Sequence, residues 1–270
     1  MGHTARGVPV RRLGATASDI TRALPEEVPV SITVNGSSQA VMMASPSDIE
    51  DFATGFALTE GIVATVAEIE SVEALDLPGG IEARLWIDEA RAEALGARRR
   101  AMLGPVGCGL CGIDSLEQAM RPVPRVTSRA RFGQGEIARA GDALRAHQPL
   151  HDRTRAVHAA GLLVPGQGIV AAREDVGRHN ALDKLIGALA RSGTEAAEGA
   201  LVMTSRISLD IVQKAAMAGA GVLVSVSAPT VSALRLAEEA GITLAAFARG
   251  DTVEVYTHPH RIRERNSDVA

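Results

Sequence analysis

Apolar and polar residues alternate in "VPVSITVNGSSQAVMMAS" (28–45), and the pattern predicts a β-hairpin that turns at Asn35-Gly36. The next stretch, "SPSDIEDFATGFALTEGIV" (45–63), switches to helical spacing, with Ser45 or Ser47 expected near the cap. A strand follows at "IEARLWID" (81–88), and "RAEALGARRRAM" (91–102) leads into a glycine-rich loop. After that loop, Asp114 and Glu117 form a capping pattern for a short helix. Beyond "RPVPRV" the rhythm changes. A helix with a polar connection is expected over 133–155 and a hairpin over 160–175. Helices at 180–193, 207–219 and 230–241 then alternate with strands at 199–205, 221–229 and 242–257, the last reversing at Arg249-Gly250-Asp251. Such alternation predicts a layered α/β domain with an at least partly parallel sheet. The expected organisation is a loosely ordered segment at 1–24, an N-terminal α+β domain at 25–125 and a C-terminal α/β domain at 126–270.

Composition narrows the function classes. Net charge is −4 and aromatic residues make up 2% of the chain, so neither a general field for polyanions nor a set of base-stacking platforms is present. Nucleic acid is therefore not an expected partner. Arginine carries nearly all the basic charge; Lys184 and Lys214 are the only lysines. No apolar run approaches the ~18 residues of a membrane span. The stretch "MGHTARGVPVRRLG" lacks the apolar core of a signal peptide, so the expected compartment is the cytoplasm, where thiols stay reduced.

Both cysteines, Cys108 and Cys111, lie in "GPVGCGLCGIDSLEQ". Three chemistries suit such a pair. A structural zinc site needs four ligands, and there is neither a second C-x-x-C nor a helical H-x(3–5)-H partner. A redox dithiol normally opens a helix directly, whereas Cys108 stands well before Asp114. A persulfide carrier needs an accessible thiol between small residues, and Gly107-Cys108-Gly109 supplies them. The run Arg98-Arg99-Arg100 could hold a thiolate or an anionic acceptor, or could simply be a solvated face.

Further candidates lie where strands are expected to meet helices. "AREDVGRHNALDK" places Glu174, Asp175, Arg178 and His179 at one such junction, where free N–H groups suit a phosphate or a pyranopterin thiolate. Asp175 and Asn180 equally suit a structural turn, and His179 a proton shuttle or a plain surface histidine. "TSRISLD" and "SAPTVSA" place Ser205, Arg206, Ser227 and Thr230 at the carboxyl edge of the sheet, where open α/β domains bind ligands. Ser227 and Thr230 also suit helix caps.

Several stretches together resemble the FdhD-type sulfur carriers, which are formate dehydrogenase accessory sulfurtransferases. They are "VMMASPSDIEDFATGFALTEGIV", "GCGLCG", "REDVGRHNALDKLIG", "TSRISLDIVQKAAMAG", "SAPTVSALRLAEEAGITLAAFARG" and "VYTHP". The resemblance implies that sulfur passes from a cysteine desulfurase to the molybdenum bis(molybdopterin guanine dinucleotide) cofactor before that cofactor enters formate dehydrogenase. It implies a C-terminal domain similar to cytidine deaminases, a smaller N-terminal domain and a homodimer. Cys108 would bear the persulfide, with Cys111 as its partner. Phe247, Ala248, Arg249, Gly250, Asp251 and Thr252 would fall in the cofactor-binding segment, for which GDP or GMP would serve as mimics. A zinc deaminase needs H-x-E followed by P-C-x-x-C. His158 has no glutamate two residues on, and no cysteine follows residue 111, so no zinc is expected. Two other roles fit the same residues: a chaperone that inserts the cofactor without sulfur chemistry, and a cytosolic dithiol redox protein.

Overall fold

The computed structural model describes residues 3–14, 16–93 and 122–264. Cys108, Cys111, the arginine run and the Asp114/Glu117 pattern lie outside the described residues. The chain has a mixed α/β fold built on two principal sheets.

The first sheet has four strands in the order β4-β3-β6-β5, from β3 (Val28–Val34), β4 (Ser37–Ala44), β5 (Ile69–Leu77) and β6 (Gly80–Ile87). Only β3 and β6 run parallel. The hairpin turns at Asn35-Gly36 as the sequence predicts, with φ of 45° and 75° at the two residues. The Asn35 amide exchanges two 2.9 Å hydrogen bonds with the backbone of Ile87, which ties the turn to the end of β6. Val30, Ile32 and Val34 point inward and pack on Phe52, Ala53 and Ala57 of helix α1 (Ile49–Thr59). Neither Ser45 nor Ser47 caps α1. Asp48 holds the N-cap position in a left-handed conformation, and Ser45 is drawn into the contact with the C-terminal half described below.

Residues 1–24 are expected to be loosely ordered. Within them β1 (Ala5–Arg12) pairs antiparallel with β2 (Ser18–Pro25) in a largely exposed ribbon that touches the helix at 149–154. Cross-strand pairing of this kind leaves little trace in local apolar periodicity.

The second sheet has six strands in the order β13-β12-β11-β10-β8-β9. These are β8 (His158–Val164), β9 (Gly168–Asp175), β10 (Ala200–Met203), β11 (Val222–Ser225), β12 (Thr243–Arg249) and β13 (Thr252–Val255). The middle three run parallel and the flanking pairs antiparallel. One face is covered by α5 (Arg178–Ser192), α6 (Leu209–Met217) and α7 (Val231–Ala240), which close a core around Leu185, Leu201, Met203, Ile211 and Leu244. The other face meets Ile137, Ala140 and Leu144. The single helix expected over 133–155 is three short ones, α2 (Gln134–Ala138), α3 (Ala140–Arg145) and α4 (Pro149–Thr154). Arg139 leaves the helical region between the first two, and Pro149 starts the third. A two-residue strand β7 (Phe132–Gly133) pairs with β14 (Ile262–Arg263).

The two halves meet where α1 crosses α5. The crossing is so close that a Cβ on Gly55 would fall 1.8 Å from the Asp183 carbonyl oxygen, and one on Gly187 would fall 1.9 Å from that of Asp51. In an isolated helix Gly→Ala stabilises by about 1 kcal/mol. Here the clash is with backbone and outweighs that gain. Gly187→Ala is expected to lower the unfolding free energy by at least about 2 kcal/mol in a denaturant titration, the range of an overpacked core. A stabilised variant would contradict the close crossing.

Candidate functional site

The topology gathers the sequence-predicted site residues along one edge of the six-stranded sheet. β10, β11 and β12 are parallel, so their carboxyl ends share that edge. β8 and β9 run so that His158 and Asp175, paired in register, lie at the same edge. The edge therefore carries, across the sheet, Arg178-His179, Ser205-Arg206, Ser227 and Phe247–Arg249, as expected of a ligand-binding edge in an open α/β sheet.

Three turns build it. The Ser225 hydroxyl donates to the Ser205 carbonyl at 2.5 Å and accepts from the Ser227 N–H at 2.9 Å, which clamps the β10 and β11 turns together. Phe247 N–H donates to the Ser227 carbonyl at 3.4 Å, which joins the third turn. Phe247 sits at a bulge of β12 with φ of 51°, and its ring is exposed. A bulky residue in this region stores strain of about 1–3 kcal/mol, a feature that clusters at ligand sites. Ala248 is buried, while Arg249, Gly250, Asp251 and Thr252 are exposed on the β12–β13 turn, where Asp251 pairs with Arg139 at 3.1 Å. Arg206 is exposed and Ser205 buried. Thr230 caps α7 by accepting from Ala233 N–H at 3.2 Å.

At the β9–α5 junction the residues divide into two groups. Glu174 accepts from Leu150 and His151 N–H, each at 2.8 Å, and so caps α4. Asp175 is wholly buried. It pairs with Lys184 at 2.6 Å and accepts from the N–H groups of Ser45 and Gly177 and from the Asn180 amide. Asn180 also donates to the Met43 carbonyl. Glu174, Asp175 and Asn180 are thus fully used in holding the fold.

Arg178 and His179 are not. Arg178 Nε, His179 Nε2 and Ser208 Oγ are screened from water with no hydrogen-bond partner among the described residues; a fourth such atom, Thr54 Oγ1, lies on α1. Leaving such a group unpaired costs about 1–3 kcal/mol. Three of them within the first turns of two adjacent helices mark this junction as the least satisfied part of the edge. α5 and α6 run side by side here. His179 Nε2 lies 3.6 Å from the Asp210 carboxylate, and one turn deeper Lys214 bonds both oxygens of Asp183. Burial above all, then the charges of Arg178 and Lys214, lowers the His179 pKa to about 4. His158, also pushed down by burial and then by Arg178, lies nearby. Burial opposes the charge of Lys214, but Asp183 and Glu60 outweigh it and hold the ammonium above the ordinary lysine range. Ser208 and Asp210 escaped the sequence reading. "ISLD" reads there only as the start of a helix, and no local pattern reveals that His179 comes to face it.

The profile described as the FdhD/NarQ family matches residues 25–263. The chain belongs to the FdhD/NarQ family. Relatives named "Sulfur carrier protein FdhD" include one from Agrobacterium fabrum, 50% identical over 242 residues that cover 89% of each chain. Another, from Brucella abortus, is 51% identical and covers 90% of this chain and 91% of its own. A crystallised protein from Desulfotalea psychrophila, proposed to be a formate dehydrogenase accessory protein, superposes with a TM-score of 0.77 at 24% identity. It covers 97% of this chain and 100% of its own, and the likeness is one of fold. Among the described residues of this FdhD/NarQ member, no helix is long and apolar enough to cross a membrane.

The lowered His179 pKa has a pH consequence. Between about 4 in the folded chain and 6.5 unfolded, the unfolded state binds more protons, so stability rises with pH through this window. The contribution is complete above pH 6.5 and is lost as pH falls toward 4. In His179→Gln, denaturation midpoints measured across that window are expected to depend less on pH. An NMR titration of His179 near its ordinary value would contradict the burial argument.

Proposed function

We propose that this chain is a sulfur carrier for a molybdenum cofactor. It takes sulfur from a cysteine desulfurase and passes it to molybdenum bis(molybdopterin guanine dinucleotide), which goes on to formate dehydrogenase. The supporting observation is membership of the FdhD/NarQ family over a span that includes both cysteines. The names of its relatives and the unsatisfied carboxyl edge agree with it. The cofactor is a substrate here. Arg178, His179, Ser205, Arg206, Ser227, Thr230 and the Phe247–Thr252 turn would hold it along that edge. The protein would act in the cytoplasm as a homodimer, without bound zinc.

The transfer uses the two thiols of the chain and one external dithiol reductant. The Cys108 thiolate attacks the outer sulfur of the donor's persulfide. The donor S–S bond breaks, the donor cysteine leaves as thiolate, and Cys108 becomes a persulfide. The Cys111 thiolate then attacks the Cys108 sulfur and releases the terminal sulfur as hydrosulfide, with its electron pair, to the metal. The resulting Cys108–Cys111 disulfide is reset by a cytoplasmic dithiol reductant. A free thiol has a pKa of about 8.5, so local positive charge is needed to favour the attacking thiolate.

Incubation with a cysteine desulfurase and cysteine should add the mass of one sulfur, confined to the 101–121 peptide. Cys108→Ala should abolish the gain and also formate dehydrogenase activity in cells with no other copy. A dithiol–disulfide couple without persulfide would favour redox exchange instead. Full dehydrogenase activity with Cys108→Ala would remove sulfur carriage by this residue.

A further inference from the structure

Arg261 is a buried cation, 5% exposed, whose charge meets no carboxylate. Its Nε donates to the Ser128 carbonyl at 3.3 Å and its Nη1 to the Thr243 hydroxyl at 3.1 Å. Both partners are neutral, whereas buried charges are ordinarily paired. Burial and then the like charge of Arg131 push its pKa below the ordinary arginine range.

Strand pairing brings more cations to the same corner. β14 runs parallel to β7, with Ile262 opposite Phe132 and Arg263 opposite Gly133. Phe132 is buried, so alternation turns Arg131, Gly133 and Arg263 to the other side. Arg131 is half-buried and donates to the adjacent Ala130 carbonyl at 3.0 Å, while His260 and Arg263 are exposed. A Cβ on Gly133 would meet nothing within 4 Å, so the space beside these side chains is open. Among the described residues, no ion pair engages Arg131, His260, Arg261 or Arg263. The corner lies at the amino end of the six-stranded sheet, because Thr243 opens β12 and Gly221, 3.3 Å from Arg261 Nε if given a Cβ, precedes β11. Along β12 this is about 20 Å from the Arg249 turn, so the two ends are separate places.

A run of exposed arginines is usually a solvated face. A buried cation behind them changes the balance, since its field reaches the surface through a poorly screening interior. The corner therefore calls for an anion. A carboxylate offers two oxygens in one plane. Donors here come from two strands and a turn, which suits a tetrahedral dianion with oxygens in several directions. We propose that Arg131, His260 and Arg263 bind the phosphate group of a small molecule, with Arg261 adding charge from behind. This site is independent of the cofactor reading at the carboxyl edge.

Calorimetry on the full chain, with inorganic phosphate and with AMP at fixed ionic strength, tests it. Arg131→Gln should weaken both about tenfold, the low end for a charge-assisted hydrogen bond because Arg131 is half-exposed. Arg131→Lys should recover part of the loss, which a merely disturbed fold would not. Equal affinity for the two probes assigns a free phosphate, and tighter AMP assigns a phosphoester. Desolvation, then the charges of Arg261, Arg131 and His258, hold His260 below the ordinary histidine range. His258 itself bonds the Glu238 carbonyl. An anion at the corner should move the NMR titration of His260 upward. If neither probe binds, or if binding responds to Arg249→Gln and not to Arg131→Gln with His260 unmoved, the site is overturned.

Discussion

The structure depends on two buried lysine–aspartate pairs that join its halves. Lys184 and Asp175 are both fully shielded from water and lie 2.6 Å apart. Lys214 lies 2.9 Å from Asp183, also in the interior. Burial of each ion costs several kcal/mol, which attraction offsets only when the remaining hydrogen-bonding positions are filled. Here the N-terminal half helps fill them. Ser45 supplies its carbonyl to Lys184 and its N–H to Asp175. Thr59 and Glu60 complete the shell of Lys214, and Thr59 donates to Asp183. Phe52 and Phe56 of α1 turn their rings to the two ammonium groups, at 5.9 and 5.6 Å. Without Ser45 and α1 in place, neither pair keeps its full set of partners.

This constraint positions the candidate site. Asp175 and Lys184 bracket the start of α5, and Lys214 fixes α6 one turn behind Asp210. The first turns of both helices are held from below by buried charge, while Arg178 Nε, His179 Nε2 and Ser208 Oγ are left without hydrogen-bond partners there. A rigid support under an unsatisfied edge is the arrangement a preorganised binding site requires. The third turn adds a strained Phe247, held at its bulge by the β11–β12 contact.

Much of the C-terminal half was legible in the sequence, because its strands are short apolar runs and its helices amphipathic. The alternation of 199–257 therefore placed Ser205, Arg206, Ser227 and Thr230 at the carboxyl edge of the sheet, whereas Phe247 stood out only through the family resemblance. Less was legible where long-range contacts decide. Ser45 resembles a helix cap but serves Asp175, 130 positions away. The ribbon at 5–25 forms by cross-strand pairing, and the segment at 134–154 breaks at Arg139 and Pro149. Lys184 and Lys214 stood out in the sequence as the only lysines, yet nothing local revealed that both would be buried between the halves. Asp210 was missed for the same reason, since its importance comes from His179 across the gap. Cys108 and Cys111, the most telling residues in the sequence, lie outside the described residues.

The dependence of the edge on the buried pairs can be measured directly by hydrogen exchange on Lys214→Met. Removal of one partner of a buried pair costs about 3–5 kcal/mol and leaves Asp183 uncompensated. If the buried pairs hold the edge in place, exchange becomes faster in α1 and in the first turns of α5 and α6, with β10–β12 still protected. Unchanged protection at Arg178, His179 and Asp210 would contradict it, because the edge would then hold its shape without the buried charge beneath it.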